Sequence, residues 1–557
     1  MEYLLTAPWS VSQLIDNFFE GRIAIPEIQR DLVWSSDQVK SLLDSIYQSY
    51  PCGSLILWEP RDRDAKLMRE IIRPERLEYY QGKLPRYFLI DGQQRVTALA
   101  SVMLKPGFLR EVEPEIENDL GSLYVDIKKF PKEMQVATDG EPYKFPWVSV
   151  NDVFTGRLKE LPEFQKLTYE QKRAMDRDVQ RIRDYTFPVQ IIQERNYATV
   201  GKIFTLVNSQ GTQLTGAEIY VASIIPFWRG ISAEFRRYRR DLRSEGYDLD
   251  LTFLMRSITV ITCDVPQIKR LADRVARRDL TPTQLNRLWS ESRRAMNRVI
   301  ETLKDGLHLD KTKFFASKNA LVPLVYYAAK VRGNRLDRKA VMKYFLVSQL
   351  GGHYSGAGET VLRRDLRYLS EPDVRPSEGL QDLLDVAVKE AKQQYRGLKV
   401  RHDQIEGVAS KNVMLLLMYV VMRKRGATDF GLQEAAPTLA QISSKDLQLH
   451  HIFPFDFMMR DQKARSYQDR AQLSSWEYRE QVNDIANITF ISQPKNAQIG
   501  NLSPWQYLEN ETTKQIRKAH FIPEDRDLWK PENFGKFLER RRRLLAKAIN
   551  SVIRALG

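Results

Sequence analysis

Two adjacent histidines, His450 and His451, stand directly before an Ile-Phe-Pro sequence and are followed by Asn487 and Asn496. Neighbouring residues on a strand point to opposite faces, so the two imidazoles can serve different roles. Cutting a phosphodiester requires a deprotonated water and a cation that stabilises charge developing on the phosphate. These residue types predict a phosphodiesterase site with His451 as general base, His450 and Asn496 as metal ligands, and Asn487 as the brace of the catalytic loop.

A plainer interpretation of the histidine pair is a half-buried strand end whose imidazoles are satisfied by hydrogen bonds. The surrounding sequence favours the nuclease interpretation. The His-Ile-Phe-Pro strand, the strand at 487–491 and the helix of Asn496 resemble the His-Asn-His (ββα-metal) nuclease domain of GmrSD-type restriction enzymes. Asn496 replaces the third histidine, a variation that such nucleases tolerate. The resemblance implies Mg²⁺ or Mn²⁺ as the cofactor.

A second group of residues lies near the N-terminus, where a short apolar run precedes Asp-Gly-Gln-Gln-Arg at 91–95 and a helix-like apolar pattern follows. A strand, a glycine turn and a helix N-terminus favour phosphate through backbone N–H groups and the helix dipole. Arg95 can add a bidentate phosphate contact, and Asp91 can hold a metal ion or a ribose hydroxyl. Gln93 or Gln94 can orient water. Taken alone, the pattern also fits an ordinary strand-to-helix turn.

Three segments, 25–34, 91–95 and 204–215, together resemble the ParB-like N-terminal domain of the same GmrSD-type proteins, which are type IV modification-dependent restriction enzymes with fused GmrS and GmrD parts. The resemblance implies a pocket for a nucleoside triphosphate, either GTP, CTP or ATP. The residues that would line this pocket are Gln29, Arg30, Asp91, Gly92, Gln93, Gln94, Arg95, Asn208, Gly211 and Thr212. Ssp-type effectors, which sense backbone phosphorothioate, are related proteins.

The composition agrees with a DNA-binding protein of several domains. A chain of 557 residues is too long for one hydrophobic core. The net charge is +15, with arginine-rich clusters at 236–240, 274–278 and 540–543, which suits double-stranded DNA as the partner. Two cysteines far apart give no disulfide framework, so we expect a cytoplasmic protein. The longest apolar run, 413–422, is too short for a membrane span and predicts a buried helix.

These features predict a multidomain α+β protein. Residues 1–225 would form the nucleotide-binding domain, 226–435 a helical connector, 436–530 the nuclease domain and 531–557 a basic terminal helix. Within the first domain, Ser35 and Gln38 have the spacing of a capping box before a helix expected at 36–50.

The predicted function is an anti-phage defence endonuclease that cuts modified foreign DNA under control of triphosphate binding or hydrolysis. A double-strand cut by one-metal sites requires two of them, so we expect a homodimer. A nucleotide-switched DNA-binding adaptor with a vestigial nuclease domain is one alternative. A nickase that does not depend on DNA modification is another.

Overall fold

The computed structural model describes residues 4–26, 34–60, 85–104, 123–130, 134–136, 146–160, 162–194, 199–200, 203, 206–207, 216–225, 227–331, 336–356, 358–405, 413–432 and 436–556. Two compact units divide the chain. The first comprises Met1–Arg236 and Ala272–Pro282, and the second comprises Arg237–Leu271 and Thr283–Gly557. The protein is a multidomain α+β protein, mostly helical with small sheets. The finer division into four predicted segments stays a prediction.

A mixed five-stranded sheet forms the centre of the first unit. Its strands are β1 (Leu4–Ser10), β2 (Ile23–Ala24), β3 (Leu55–Trp58), β4 (Tyr87–Asp91) and β8 (Thr186–Ile192), in the order β1-β8-β3-β4-β2. A smaller sheet has the order β6-β5-β7, formed by β5 (Leu123–Asp126), β6 (Met134–Val136) and β7 (Trp147–Ser149). All four residues of β3 are buried, as expected for a strand covered on both faces.

Helices cover the larger sheet and complete its apolar core. They are α1 (Val11–Phe19), α2 (Ser36–Tyr47), α3 (Gln93–Met103), α4 (Val150–Thr155), α5 (Pro162–Gln165) and α6 (Tyr169–Asp184). Helix α7 (Gly216–Ile224) follows later in the chain. The capping box of Ser35 and Gln38 is confirmed, because each side chain bonds to the other residue's backbone N–H. The helix ends at Tyr47 instead of the expected position 50, since Ser49 has a left-handed φ of 60°.

The chain continues through a long helical segment. It contains α8 (Ile231–Ser244), α9 (Leu251–Cys263), α10 (Ile268–Ala276), α11 (Pro282–Leu307), α12 (Leu321–Lys330), α13 (Arg338–Leu350), α14 (Gly358–Ser370), α15 (Pro376–Gln394) and α16 (Val413–Lys424). The predicted buried helix is confirmed, because every residue of α16 from Met414 to Met422 is buried. Among the described residues, no helix has both the length and the apolar character that a membrane crossing requires.

The last part of the second unit holds two antiparallel strands, β9 (Leu447–His451) and β10 (Ile488–Ser492). Its helices are α17 (Phe455–Arg460), α18 (Gln462–Arg470), α19 (Ser475–Val482), α20 (Gln493–Ile499), α21 (Pro504–Glu511), α22 (Lys514–Ala519) and α23 (Phe534–Ala555). An apolar cluster that includes Ile452, Phe453, Ile491, Phe534 and Phe537 joins these elements. The long terminal helix is therefore part of this core.

One expectation about the basic surface is wrong. Arg541 is fully buried, because helical periodicity places it on the same face of α23 as Phe537 and Leu538. Its Nη1 donates to the carbonyls of Ala486 and Ile488 at 2.7 Å each, and its Nη2 donates to that of His520 at 3.0 Å. Burial lowers the pKa of Arg541 to about 9. This arginine belongs to the interior and contributes nothing to the exposed charge.

The second unit also contains a buried polar cluster around His353, in the turn after α13. Its Nε2 lies 2.8 Å from Asp365 Oδ2, and its Nδ1 bonds to Glu390. The Tyr354 hydroxyl donates to the same Asp365 oxygen at 2.7 Å. Burial alone lowers the pKa of His353, but the hydrogen bonds and charges of the two carboxylates outweigh it and raise the pKa. The cluster links this turn to α14 and α15 through the imidazole of His353.

We expect Arg541→Met to destabilise the second unit by about 3 kcal/mol, because it leaves buried carbonyl oxygens without donors. Arg540→Met is the matched control, since Arg540 is the exposed neighbour on the same helix, and we expect it to change stability by less than about 0.5 kcal/mol. Hydrogen exchange of the amides in β10, measured for both variants, would report the difference. Equal protection in the two variants would contradict the structural role of Arg541.

Candidate functional site

The histidine pair ends strand β9, directly beside the start of β10. The antiparallel register pairs His451 with Ile488 and His450 with Thr489. Helix α20 follows β10 immediately, with Ser492 as its N-cap through a bond to Lys495 N. This strand-strand-helix order brings Asn496 back to β9, although 46 residues separate it from His450. The structure thus assembles His450, His451, Asn487 and Asn496 around one pair of strands.

His450 faces the interior and is only 2% exposed. Its Nδ1 lies 2.8 Å from Asn496 Oδ1, and its Nε2 lies 3.1 Å from the Tyr507 hydroxyl. That hydroxyl in turn donates to the carbonyl of Ile452 at 2.9 Å. Burial lowers the pKa of His450 to about 4, so the ring is neutral near pH 7 and one ring nitrogen carries a lone pair.

The pair of His450 Nδ1 and Asn496 Oδ1 fits a divalent ion chemically. Imidazole nitrogen and amide oxygen are both metal ligands in proteins. Two adjacent ligand atoms of an octahedral ion with bonds of about 2.1 Å lie about 3 Å apart, and these two atoms are 2.8 Å apart. A proton on Nε2, directed at Tyr507, would leave Nδ1 as a ligand atom. The same distance also fits a direct hydrogen bond with the proton on Nδ1. Within the described residues no group of three His, Cys, Asp or Glu side chains is arranged for a metal, so water and phosphate oxygens would complete the shell.

His451 lies on the opposite face of the strand and is half-buried. Its Nε2 is 3.0 Å from Asn483 Oδ1, at the end of α19. The Asn483 amide nitrogen donates to the carbonyl of Arg479 at 3.0 Å, which fixes the amide with its oxygen toward the histidine. The proton of a neutral His451 therefore sits on Nε2, and Nδ1 is left as a proton acceptor. Burial lowers the pKa of His451, although the bond to Asn483 opposes this shift. The neutral form, which a general base needs, is favoured.

Asn487 is fully buried, and its side chain forms three hydrogen bonds to backbone groups. Its Oδ1 accepts from Phe453 N at 2.8 Å, and its Nδ2 donates to Phe453 O at 3.0 Å and to Val482 O at 2.8 Å. These bonds hold the chain two residues after His451. Any effect of Asn487 on the histidines would therefore be exerted through the loop that follows them, and its role in a reaction stays a prediction.

The structure also shows neighbours of His451 that the sequence analysis missed. The Phe455 ring lies 6.2 Å from the His451 ring, and the Arg479 guanidinium carbon lies 5.3 Å from the centre of Phe455. Arg479 is exposed. Arg479 and Asn483 are four residues apart, a spacing that places them on one side of α19 and its end. Nothing in the sequence indicates that α19 lies beside β9.

The N-terminal group is built on β4, Gly92 and α3. Gly92 is the N-cap of α3 with a left-handed φ of 92°, and a Cβ there would lie 2.1 Å from Leu55 Cδ2. Only glycine fits this turn. Arg95 donates through Nη1 to Cys52 O at 2.6 Å and through Nη2 to Ser54 O at 2.8 Å. It also pairs with Asp91 at 3.2 Å. In this structure its guanidinium ties α3 to the chain before β3.

Two polar side chains on α3 are buried without a partner. Gln93 is 4% exposed, and neither its amide oxygen nor its amide nitrogen has a hydrogen bond among the described residues. The hydroxyl of Thr97, one turn further, is in the same state within that part of the chain. Gln94 accepts a bond from Trp34 N at 3.2 Å. An unpartnered buried amide costs about 1–3 kcal/mol, so Gln93 has capacity for a further polar group.

The remaining predicted pocket residues lie outside the described residues. They are Gln29, Arg30, Asn208, Gly211 and Thr212. The structure therefore brings together only the group from Asp91 to Arg95, and the assignment of a nucleotide to it stays a prediction.

Comparison with known proteins connects the first unit to restriction enzymes. Residues 11–225 match the family model described as GmrSD restriction endonuclease, N-terminal domain. The chain is also similar to an uncharacterized protein of Methanocaldococcus jannaschii, with 20% identity over 600 aligned residues that cover 97% of this chain and 98% of that protein. The family match begins directly after β1 and includes β4, Gly92 and α3.

We expect Arg95→Ala to lower the stability of the first unit by about 2 kcal/mol without any nucleotide, because its charged hydrogen bonds to Cys52 and Ser54 are lost. Arg22→Ala is a suitable control, since Arg22 forms an exposed ion pair with Glu20. Hydrogen exchange of the amides in α3 would measure both effects. If the two variants exchange alike, the observed contacts of Arg95 do not hold α3 in place.

Proposed function

We propose that the protein is a restriction-type DNA endonuclease with a ββα-metal site formed by β9, β10 and α20. The single observation that carries this proposal is the assembly of His450, His451, Asn487 and Asn496 around two strands and the following helix. The family match of residues 11–225 supports the same class independently, because it falls on the other unit.

In the proposed reaction, Nδ1 of His451 takes a proton from the water that attacks the phosphodiester. Asn483 keeps the ring in the required tautomer, and Asn487 fixes the loop behind it. A divalent ion such as Mg²⁺ or Mn²⁺, held by His450 and Asn496, would supply positive charge for the phosphate and the leaving oxygen. Arg479, which is exposed above Phe455, adds a cationic contact for the phosphate.

The first unit is the proposed site of nucleotide control. The turn at Gly92 presents the N-terminus of α3, which favours phosphate. The amide of Gln93, which has no hydrogen-bond partner within the described part of the chain, supports a ligand at this turn, since a bound polar group would satisfy it. Recognition of modified DNA belongs to the same proposal and rests on the resemblance to GmrSD-type enzymes. A homodimer is proposed because a double-strand cut by one-metal sites requires two of them.

A second candidate function is a nucleotide-switched DNA-binding adaptor. The deep burial of His450, with both ring nitrogens in hydrogen-bonding contact, favours it, because such a histidine is also satisfied without a metal. The two candidates differ in whether His451 is needed for metal-dependent cutting.

We expect wild-type protein to cut modified DNA with Mg²⁺ or Mn²⁺ and a triphosphate, and to lose activity with EDTA. His451→Ala should reduce the cleavage rate by about 10²–10⁴-fold, the usual contribution of a general base. His402→Ala is the control, since His402 is exposed and belongs to the same unit. Cleavage is measured on modified phage DNA and on matched plain DNA. Nucleotide-dependent DNA binding without any cleavage would favour the adaptor, and equal cutting of both DNAs would exclude modification dependence.

We expect Gln93→Leu to weaken binding of the triphosphate by about tenfold, which corresponds to one lost hydrogen bond of about 1.4 kcal/mol. The same change should stabilise the protein without nucleotide, because it replaces a buried amide that has no partner among the described residues with an apolar group. Gln180→Leu, on the exposed side of α6, is the control. Titration with GTP, CTP and ATP and thermal unfolding provide the two measurements. Unchanged affinity for all three would remove Gln93 from the nucleotide site.

A further inference from the structure

A cleft of about 820 Å³ lies in the second unit between α22, the segment 521–528 and α23. Its wall carries six cationic side chains and three acidic ones. The base of the cleft is apolar and includes the buried residues Phe521 and Ile522. Neither the histidine pair nor the turn at Gly92 contributes to it. The cleft is therefore a separate feature with its own charge.

The three acidic side chains of the cleft are already engaged. Glu524 pairs with Arg517 at 3.6 Å, and Glu539 pairs with Arg543 on the same helix. Asp525 caps the short helix after it by accepting from the backbone of Asp527 at 3.0 Å. The ion pairs offset the charges of Glu524 and Glu539, and Asp525 keeps its charge, so the lining retains an excess of positive charge.

Four cationic side chains of the cleft are not paired in this way. Lys514 and Lys518 stand one turn apart on α22, and Lys536 and Arg540 stand one turn apart on α23. All four are exposed, and within the described residues none has a carboxylate at ion-pair distance. Like charges one helical turn apart repel each other. Two such pairs that face one cleft favour an anion that neutralises both walls.

Helix α23 connects this cleft with the histidine site. Lys536 and Arg540 lie on its outer face and line the cleft. Arg541 lies on its inner face and donates to the carbonyls of Ala486 and Ile488. Ile488 is the register partner of His451. A phosphate held at the outer face of α23 is therefore fixed in position relative to His451 by one helix.

We infer that this cleft binds phosphates of the DNA backbone at a distance from the cut and so positions the duplex for His451. The inference rests on the proposed endonuclease function and adds a substrate contact to it. Contacts of this kind set position and affinity, and they carry no information about base sequence. Each neutralised phosphate releases counterions, which gives the contact a measurable salt dependence.

The test uses full-length protein with His451→Ala, so that DNA is bound but not cut. Lys518→Gln with Arg540→Gln removes one charge from each wall of the cleft. Lys389→Gln with Lys392→Gln removes the same charge from the exposed face of α15 and is the control. Fluorescence anisotropy with a labelled duplex is measured between about 50 and 200 mM salt.

We expect the cleft variant to bind DNA at least about tenfold more weakly than the control at the same salt concentration. Its slope of log affinity against log salt should be smaller by about two, one for each lost phosphate contact. Equal weakening in both variants would show a general charge effect and overturn the inference. A cleft variant that loses affinity for a labelled triphosphate but keeps its DNA affinity would also overturn it, in favour of a nucleotide.

The outcomes separate this inference from the proposed function. Wild-type cleavage that depends on His451, together with normal DNA binding by the cleft variant, would reject only the cleft. Specific weakening by the cleft variant in a protein that never cuts DNA would reject the endonuclease and keep the cleft as a DNA contact. Absence of DNA binding in the parent protein would reject the cleft, and the cleavage assay would decide the function separately.

Discussion

The candidate nuclease site depends on one buried cation. Arg541 donates to the carbonyls of Ala486 and Ile488, where the chain enters β10, and to a third carbonyl beside α22. A bend of this kind carries carbonyl oxygens that no strand partner satisfies, and in the interior each of them requires a donor. One arginine side chain supplies several donors, but its positive charge must then be buried, which costs free energy. The same burial lowers the pKa of Arg541. The benefit is a fixed starting point for β10, from which the position of His451 follows.

The register of β9 against β10 decides which histidine is interior. A shift by one residue would exchange the faces of His450 and His451, because side chains alternate along a strand. The register is held on both sides of the pair. Asn487 fixes Phe453 just after the histidines, and at the other end of the pairing Gln493 N donates to Asp446 O at 2.7 Å. Backbone pairing, and not the chemistry of the imidazoles, therefore gives the two histidines different environments. His450 is enclosed, and His451 is half-exposed.

Local features of this chain could be predicted from the sequence, whereas contacts between distant segments could not. The capping box at Ser35, the buried helix α16 and the turn at Gly92 each depend on residues close together in the chain, and their patterns are specific. Asn483, Tyr507 and Arg541 reach the histidine site from three different helices, and no periodicity indicates which helix lies beside β9. His353 shows the same difficulty, since its two carboxylate partners lie on α14 and α15. The expectation that Arg541 lies on the surface was wrong, because the arginine cluster alone does not show which face of α23 each residue occupies.

The two candidate sites differ in how their polar groups are satisfied, and this difference bears on how each would respond to a ligand. Around β9 and β10, the side chains of Asn487 and His450 have hydrogen-bond partners within the protein, so the geometry is held before any substrate arrives. On α3, Gln93 and Thr97 are buried and lack partners among the described residues, which costs stability in the absence of a ligand. A ligand that supplies those bonds gains this free energy on binding, so its affinity is coupled to the local stability of α3. Under the proposed nucleotide control, the reaction site would be held in place before the substrate binds, and the stability of α3 would rise when its ligand binds.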